Sequence, residues 1–389
     1  MSRRRPLSLL TACAILGGGS VLAATAFASA ATTNTHLPAH APAPSPADHD
    51  VLNVAATRAA AKAGRLTTKA APAGTTLEHP LSPQQCRDQI GVPCYGATAL
   101  RRAYGLDRLG RVDGRGTVTA LIMPFKNPTV GDDVRTYAQK FGLPRPHLTV
   151  MTHGQVPVAD PDDPGQAIVA EEGLLDAQMI LTAAPRTHLV YLQLSPDVLN
   201  GPAAFARIGT ELEWLAQRRH LDAVSFSYGW FEQNYLEYYG GDQATAAAAL
   251  RAQSDQLGRV IRRHHLTVTS ADGDTGPTGP NLNGTALYPE TTPAFMAASP
   301  YVTGVSATEL HLDDRGTRAA ADPALYEVAR SARSRAAAGI ADVVEGCNSV
   351  TGVAGFCARP GYDLASGVGT VGDARRFAPA LAAAVRSSR

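Results

Sequence analysis

From residue 117 onward, short apolar runs rich in β-branched residues alternate with longer stretches of helical period. ThrValThrAlaLeuIleMet at 117–123 predicts a strand and is followed by a helix over 131–141. ThrHisLeuValTyrLeu at 187–192 precedes a helix over 202–219, and AspAlaValSerPheSer at 222–227 precedes one over 243–264. LeuThrValThrSer at 266–270 and ValThrGlyVal at 302–305 close the series. Strands separated by helices predict βαβ units, hence an α/β protein with a mostly parallel sheet covered on both faces. No internal repeat breaks this alternation.

The N-terminal part follows a different pattern. Arg3, Arg4 and Arg5 precede an apolar run from Leu7, and AlaSerAla at 28–30 offers a small-residue cleavage site. Residues 1–30 therefore predict a secretory signal peptide, by the general or the twin-arginine route, and an extracellular protein. Residues 31–80, rich in Ala, Pro, Thr and His, sustain no apolar period outside 52–64 and predict a disordered linker or a remnant leader. The folded domain is expected over 81–389. No later segment has eighteen uninterrupted apolar residues, so no stable membrane anchor is expected.

Composition narrows the partners. Thirty-five Lys+Arg stand against 34 Asp+Glu, a formal net charge of +1 that gives no reason to expect a nucleic acid; peptides or proteins fit better. With Cys13 removed in the signal, Cys86, Cys94, Cys347 and Cys357 remain, in two close pairs. In an oxidising exterior the simplest of the three connectivities is two local disulfides, Cys86–Cys94 and Cys347–Cys357. A zinc site is the rival reading, but these spacings do not match its short Cys/His pattern.

Three groups of residues carry candidate chemistry. Glu172 and Asp176, within GluGluGlyLeuLeuAspAlaGlnMetIle at 171–180, share one helix face, a like-charge placement that costs roughly 0.2–0.5 kcal/mol unless something uses it. SerAlaAspGlyAspThrGly at 270–276 follows a strand directly and sets Asp274 at the carboxyl end of the sheet, where such folds bind ligands; read alone, it is an ordinary turn. Asp342, in AlaAspValVal, and Asp363, in ArgProGlyTyrAsp, stand beside turn backbone and suit a hard cation with oxygen ligands, or else are solvated loop aspartates.

The order of these segments resembles the sedolisin family of serine-carboxyl peptidases, over roughly residues 84–380. Matching stretches include TyrGlyLeu at 104–106, PheGlyLeuPro at 141–144, GluGlyLeuLeuAsp at 172–176, ValSerPheSerTyrGly at 224–229, GlyAspThrGly at 273–276, SerProTyrValThrGlyVal at 299–305 and ProGlyTyrAspLeuAlaSerGlyValGlyThr at 360–370. The resemblance implies a subtilisin-like doubly wound sheet and an acid-operating site. In it Glu172 is the general base, Asp176 orients it, and Asp274 donates a hydrogen bond to the oxyanion. It also implies Ca2+, held by the carboxylates of Asp342 and Asp363 and the carbonyls of Val343, Arg359 and Gly361. Arg359 stands where the family often has Gly, which could crowd that turn.

The pattern departs from the family at the nucleophile. No GlyThrSer occurs, and only 16 residues separate Val305 from Asp322, so part of the C-terminal half is apparently missing. The nearest echo, GlyThrArgAlaAlaAlaAspPro at 316–323, has Arg318 in the serine's place, and guanidinium is no nucleophile. Ser306, Ser331, Ser334, Ser349 and Ser366 lie nearby, each with an ordinary loop or helix-surface reading. The expectation is a catalytically impaired homologue that keeps a peptide-binding cleft and a calcium site. Its alternatives are an active acid endopeptidase with an unrecognised serine and a structural extracellular protein.

Overall fold

The computed structural model describes residues 95–199, 201–306, 337–344, 346–350, 352–367 and 369–387. The predicted signal, the linker, Cys86, Cys94, Ser331, Ser334 and Arg318 lie outside them. So does the stretch on which the apparent shortening falls, save Ser306.

A short helix α1 (Ala97–Ala103) leads to β1 (Val118–Pro124), α2 (Val130–Lys140) and β2 (His147–Thr152). Then come α3 (Pro164–Ala183), β3 (His188–Leu194), α4 (Pro202–Arg218), β4 (Ala223–Phe226), α5 (Glu232–Tyr238), α6 (Gln243–His264) and β5 (Thr267–Ala271). After α7 (Phe295–Ala298) and β6 (Thr303–Val305), β7 (Ile340–Ala341) pairs antiparallel with β8 (Thr370–Val371) before α8 (Ala374–Ser387). The six long-sheet strands run in the order β2-β3-β1-β4-β5-β6, and every pairing is parallel.

Alternation along the strands decides which helices cover which face. On β1, Ala120 and Ile122 pack with Val190 and Leu192 of β3 and with Phe205, Ile208 and Leu212 of α4 and Leu257 and Ile261 of α6. Their neighbours Leu121 and Met123 pack the other way, with Val130 and Val134 of α2 and Ala177 and Leu181 of α3. Strands buried on both sides read as the continuous apolar runs seen in the sequence. A third cluster, with Leu100, Tyr104, Ile340, Val371 and Phe377, joins α1 and α8 to the small β7–β8 ladder.

The predicted helices and strands over 117–270 are present with ends shifted by a residue or two, and the helix over 243–264 has the predicted ends. Its start is fixed by Asp242, whose carboxylate accepts from the backbone N–H groups of Ala244 and Thr245, and its end by His265 in the left-handed region. Within that span the sequence pattern does not show the strand β2 or the short helix α5. β2 is an edge strand whose residues are only partly buried, so it lacks the apolar run of the inner strands, and α5 is two turns long.

Candidate active site

Helix α3 presents the first carboxyls. Asp163 caps it, accepting from the backbone N–H of Gly165 at 2.9 Å and of Gln166 at 3.4 Å, with Pro164 at the first turn. Leu175, Ala177 and Leu181 pin the helix to the sheet, which turns Glu172 and Asp176, one turn apart, toward the strand ends. Gly173 makes the close seating possible: the Tyr191 hydroxyl occupies the space a Cβ at 173 would need.

Ser227 follows β4 directly. Its hydroxyl donates to Oδ1 of Asp176 at 2.8 Å and also reaches Glu172, where its hydrogen bond favours the ionised form. Asp274 sits on the loop after β5, close enough for its charge to act on Glu172. That loop turns through Gly273, at φ +99, and the Phe231 ring lies where a Cβ at 273 would point, 2.8 Å away at its nearest atom. A side chain at 273 would be strained and would meet the ring. The three predicted carboxyls therefore come together at the carboxyl ends of β4 and β5, the sheet edge where open α/β folds bind ligands.

They run from mouth to floor. Asp274 is exposed, Glu172 half-buried and Asp176 buried. Burial raises Glu172 well above the usual carboxylate range, the charges of Asp176 and Asp274 raise it further, and Ser227 offsets part of this. Burial likewise raises Asp176 against the Ser227 hydrogen bond. Protein packed around Asp274 raises it too, and its exposure to solvent limits that rise. Oδ2 of Asp176 and the hydroxyl of Tyr228 are buried with no hydrogen-bond partner. The charge of Asp176 acts on the Tyr228 phenol after burial has already raised it.

Of the serines weighed from sequence, Ser306 donates to Oδ2 of Asp272 at 2.9 Å, Ser349 accepts from Gly355 N–H at 3.0 Å, and Ser366 serves Asp363. None of these hydroxyls engages Glu172. Among the described residues Ser227 does, and in the sequence it is legible only as part of the ValSerPheSerTyrGly segment, where its place directly after a strand is the signal.

The second predicted group also assembles. Asp342 accepts from Gly361 N–H at 2.8 Å through Oδ2 and keeps a buried Oδ1 with no partner. Asp363 accepts from the N–H groups of Arg359 (3.0 Å), Ala365 (2.9 Å) and Ser366 (2.7 Å), and the Ser366 hydroxyl lies 3.5 Å from the Val343 carbonyl. Gly361, at φ +104, makes the turn, while Arg359 is exposed with no left-handed backbone and does not crowd it. The orphaned Asp342 oxygen is the feature an oxygen-seeking cation would satisfy, so the residues present fit calcium. Among the described residues no three His, Cys, Asp or Glu side chains gather to hold a metal, so the fit needs backbone carbonyls to complete it. Cys347 and Cys357 form a disulfide beside these loops.

A mostly parallel sheet with helices packed on both faces is an α/β fold of the subtilisin-like kind. Among solved structures the chain is similar to Pseudomonas sedolisin, a serine-carboxyl proteinase complexed with two molecules of pseudo-iodotyrostatin, with a TM-score of 0.56 and 16% identity over 75% of this chain and 98% of that one. At that identity the likeness establishes the fold: this chain has the sedolisin fold. No family model matches the sequence, and a comparison with curated proteins gives no match.

Proposed function

We propose that the chain is an exported sedolisin-type homologue that binds extended peptide across the carboxyl ends of β4 and β5 and has impaired peptidase turnover. The observation that carries this reading is the meeting of Glu172, Asp176 and Asp274 at that edge in a chain whose sequence has no GlyThrSer. Asp274, when protonated, donates to a bound carbonyl oxygen, and Glu172 accepts a proton from whatever hydroxyl or water lies beside it. Without an activated nucleophile, such groups give only residual acceleration. The loops of Asp342, Val343, Arg359, Gly361 and Asp363 hold calcium as a structural ion in this reading.

Incubation of the purified mature chain with a denatured protein from pH 3 to 6, beside Glu172→Ala, tests it. Binding of peptide with little or no cleavage is expected. Robust cleavage that Glu172→Ala abolishes would overturn the impaired reading.

A second reading is favoured by one contact, the Ser227 hydroxyl between Asp176 and Glu172. Here Ser227 is the nucleophile: its proton passes to Glu172, its Oγ bonds the carbonyl carbon, and the proton returns to the departing amine before water releases the acyl group. Mass-spectrometric mapping of a fluorophosphonate adduct on Ser227, absent in Ser227→Ala, is its test.

A further inference from the structure

Several partly buried carboxylates elsewhere in the described chain are paired with cationic side chains. Glu213 accepts from Arg263 at 2.9 Å, Asp113 from Arg186 at 3.1 Å, Asp373 from Arg375 at 2.8 Å, and Glu211 from His153. Asp363 is met by backbone N–H groups, and Asp342 by one at Oδ2, its buried Oδ1 keeping no partner. Glu172, Asp176 and Asp274 instead gather three carboxyls in one place: among the described residues none of the three is in an ion pair, and the one side chain that donates to them is a serine hydroxyl.

The floor of the group is incomplete in a specific way. Oδ2 of Asp176, on a residue only 5% exposed, is an acceptor with no donor, and the Tyr228 hydroxyl beside it is likewise unpaired. Two unmatched oxygens under a ring of acidic groups call for a ligand with several N–H donors and a positive charge. A primary ammonium has three donors on one compact atom, whereas guanidinium spreads five over a plane and asks for a wide bidentate acceptor.

Resting on the peptide-binding reading above, we propose that Glu172, Asp176, Asp274 and the Tyr228 hydroxyl form a recognition site for a primary ammonium of a peptide. The cation enters past the exposed Asp274, is held by Glu172, and completes Oδ2 of Asp176. The ammonium comes from a free N-terminus or from a lysine side chain, and the chemistry is the same for both. Among the described residues the titratable groups facing the site are acidic or phenolic: Glu172 and Asp176 from α3, Tyr191 from β3, Tyr228 after β4 and Asp274 after β5. Binding selects the ionised carboxyls, so below the pH at which they ionise unaided it releases protons, and its advantage grows from pH 5 to pH 7, below the range in which a peptide N-terminus loses its own proton.

The test uses the mature chain and calorimetric titration at about 0.15 M salt, where exposed charges are screened. Three C-terminally amidated probes are compared: tetra-alanine with a free N-terminus, its N-acetyl form, and an N-acetyl tetrapeptide with one lysine. At pH 7, where both the N-terminal and the lysine amine are protonated, at least one ammonium probe is expected to bind about tenfold more tightly than the neutral one, with proton release at lower pH; which probe gains identifies the source. Glu172→Gln should erase the gain, and Asp274→Asn, at an exposed position with little risk to folding, should reduce it. Equal binding of all three probes, or a gain that survives in both variants, would overturn the proposal while leaving peptide binding intact. If no probe binds, the peptide-binding reading falls with it.

Discussion

The Ser227 hydroxyl donates to Oδ1 of Asp176 across 2.8 Å, tying the end of β4 to the middle of α3. It is the hydrogen bond seen at Asp176, since the other oxygen has none. Ser227→Ala therefore strips a buried carboxyl of its donor. The expected cost is about 1–3 kcal/mol at neutral pH, where the ionised form needs that donor most, and less at pH 4, where Asp176 is protonated. Urea unfolding at the two pH values measures the difference; equal costs would mean the hydroxyl acts only through packing.

The sheet and its chemistry were legible to different degrees, for a physical reason. Inner strands such as β3 are apolar on both faces and announce themselves, whereas β2, half-solvated at the edge, carries His147, Thr149 and Thr152 and looks like a loop. Glu172 and Asp176 could be placed together because helical period fixes neighbours at short range. Bringing them to Asp274, almost a hundred positions on, needed the order of the motifs, since no local pattern encodes it. Ser227 remained hidden because a serine after a strand is common, and only the fold shows which carboxyl it meets.

The site also sets a pH dependence. Burial raises Glu172 and Asp176, so the native state holds protons that the unfolded chain has lost. Their contribution to stability is fully present below the ordinary carboxylate range, about pH 4, and is lost as pH rises through their raised folded values. Asp363 works in the opposite sense: burial tends to raise it, but the N–H groups of Arg359, Ser366 and Ala365 and the Ser366 hydroxyl outweigh burial and lower it. Its stabilisation is present above the ordinary range and lost as pH falls through the lowered value. Melting temperatures should therefore fall between mildly acidic pH and pH 8. Asp176→Asn should flatten that fall and melt higher than the parent at pH 8. A parent most stable at pH 8 would contradict this.

Gly173 and Tyr191 form a second long-range dependency. A methyl group at 173 meets the Tyr191 hydroxyl, and α3 must move outward or the ring must leave its buried place. Gly173→Ala should cost about 1–3 kcal/mol, the usual range for overpacking, despite alanine's better helix propensity. Tyr191→Phe removes the atom that clashes, so the double variant should recover much of the loss. Denaturant midpoints of the four proteins give the coupling. Additive effects would place the strain elsewhere.

Calcium, proposed for the loops around Asp342 and Asp363, has a test separate from peptide chemistry. Oδ1 of Asp342 is buried without a donor while Oδ2 takes the Gly361 N–H. An ion that completes Oδ1 binds the native state alone and stabilises it by mass action, by about 2.7 kcal/mol at a hundred times its dissociation constant. For a domain of about 300 residues that is a rise of roughly 4 °C in melting temperature. Asp342→Asn keeps the shape and Oδ2's partner but removes the charge, so it should lose the calcium-dependent rise and melt near the parent measured in chelator. Magnesium, which holds its water more tightly and demands octahedral geometry, should substitute poorly. An unchanged melting temperature on adding calcium to the parent would dismiss the ion and leave the orphaned oxygen as a site for ordered water.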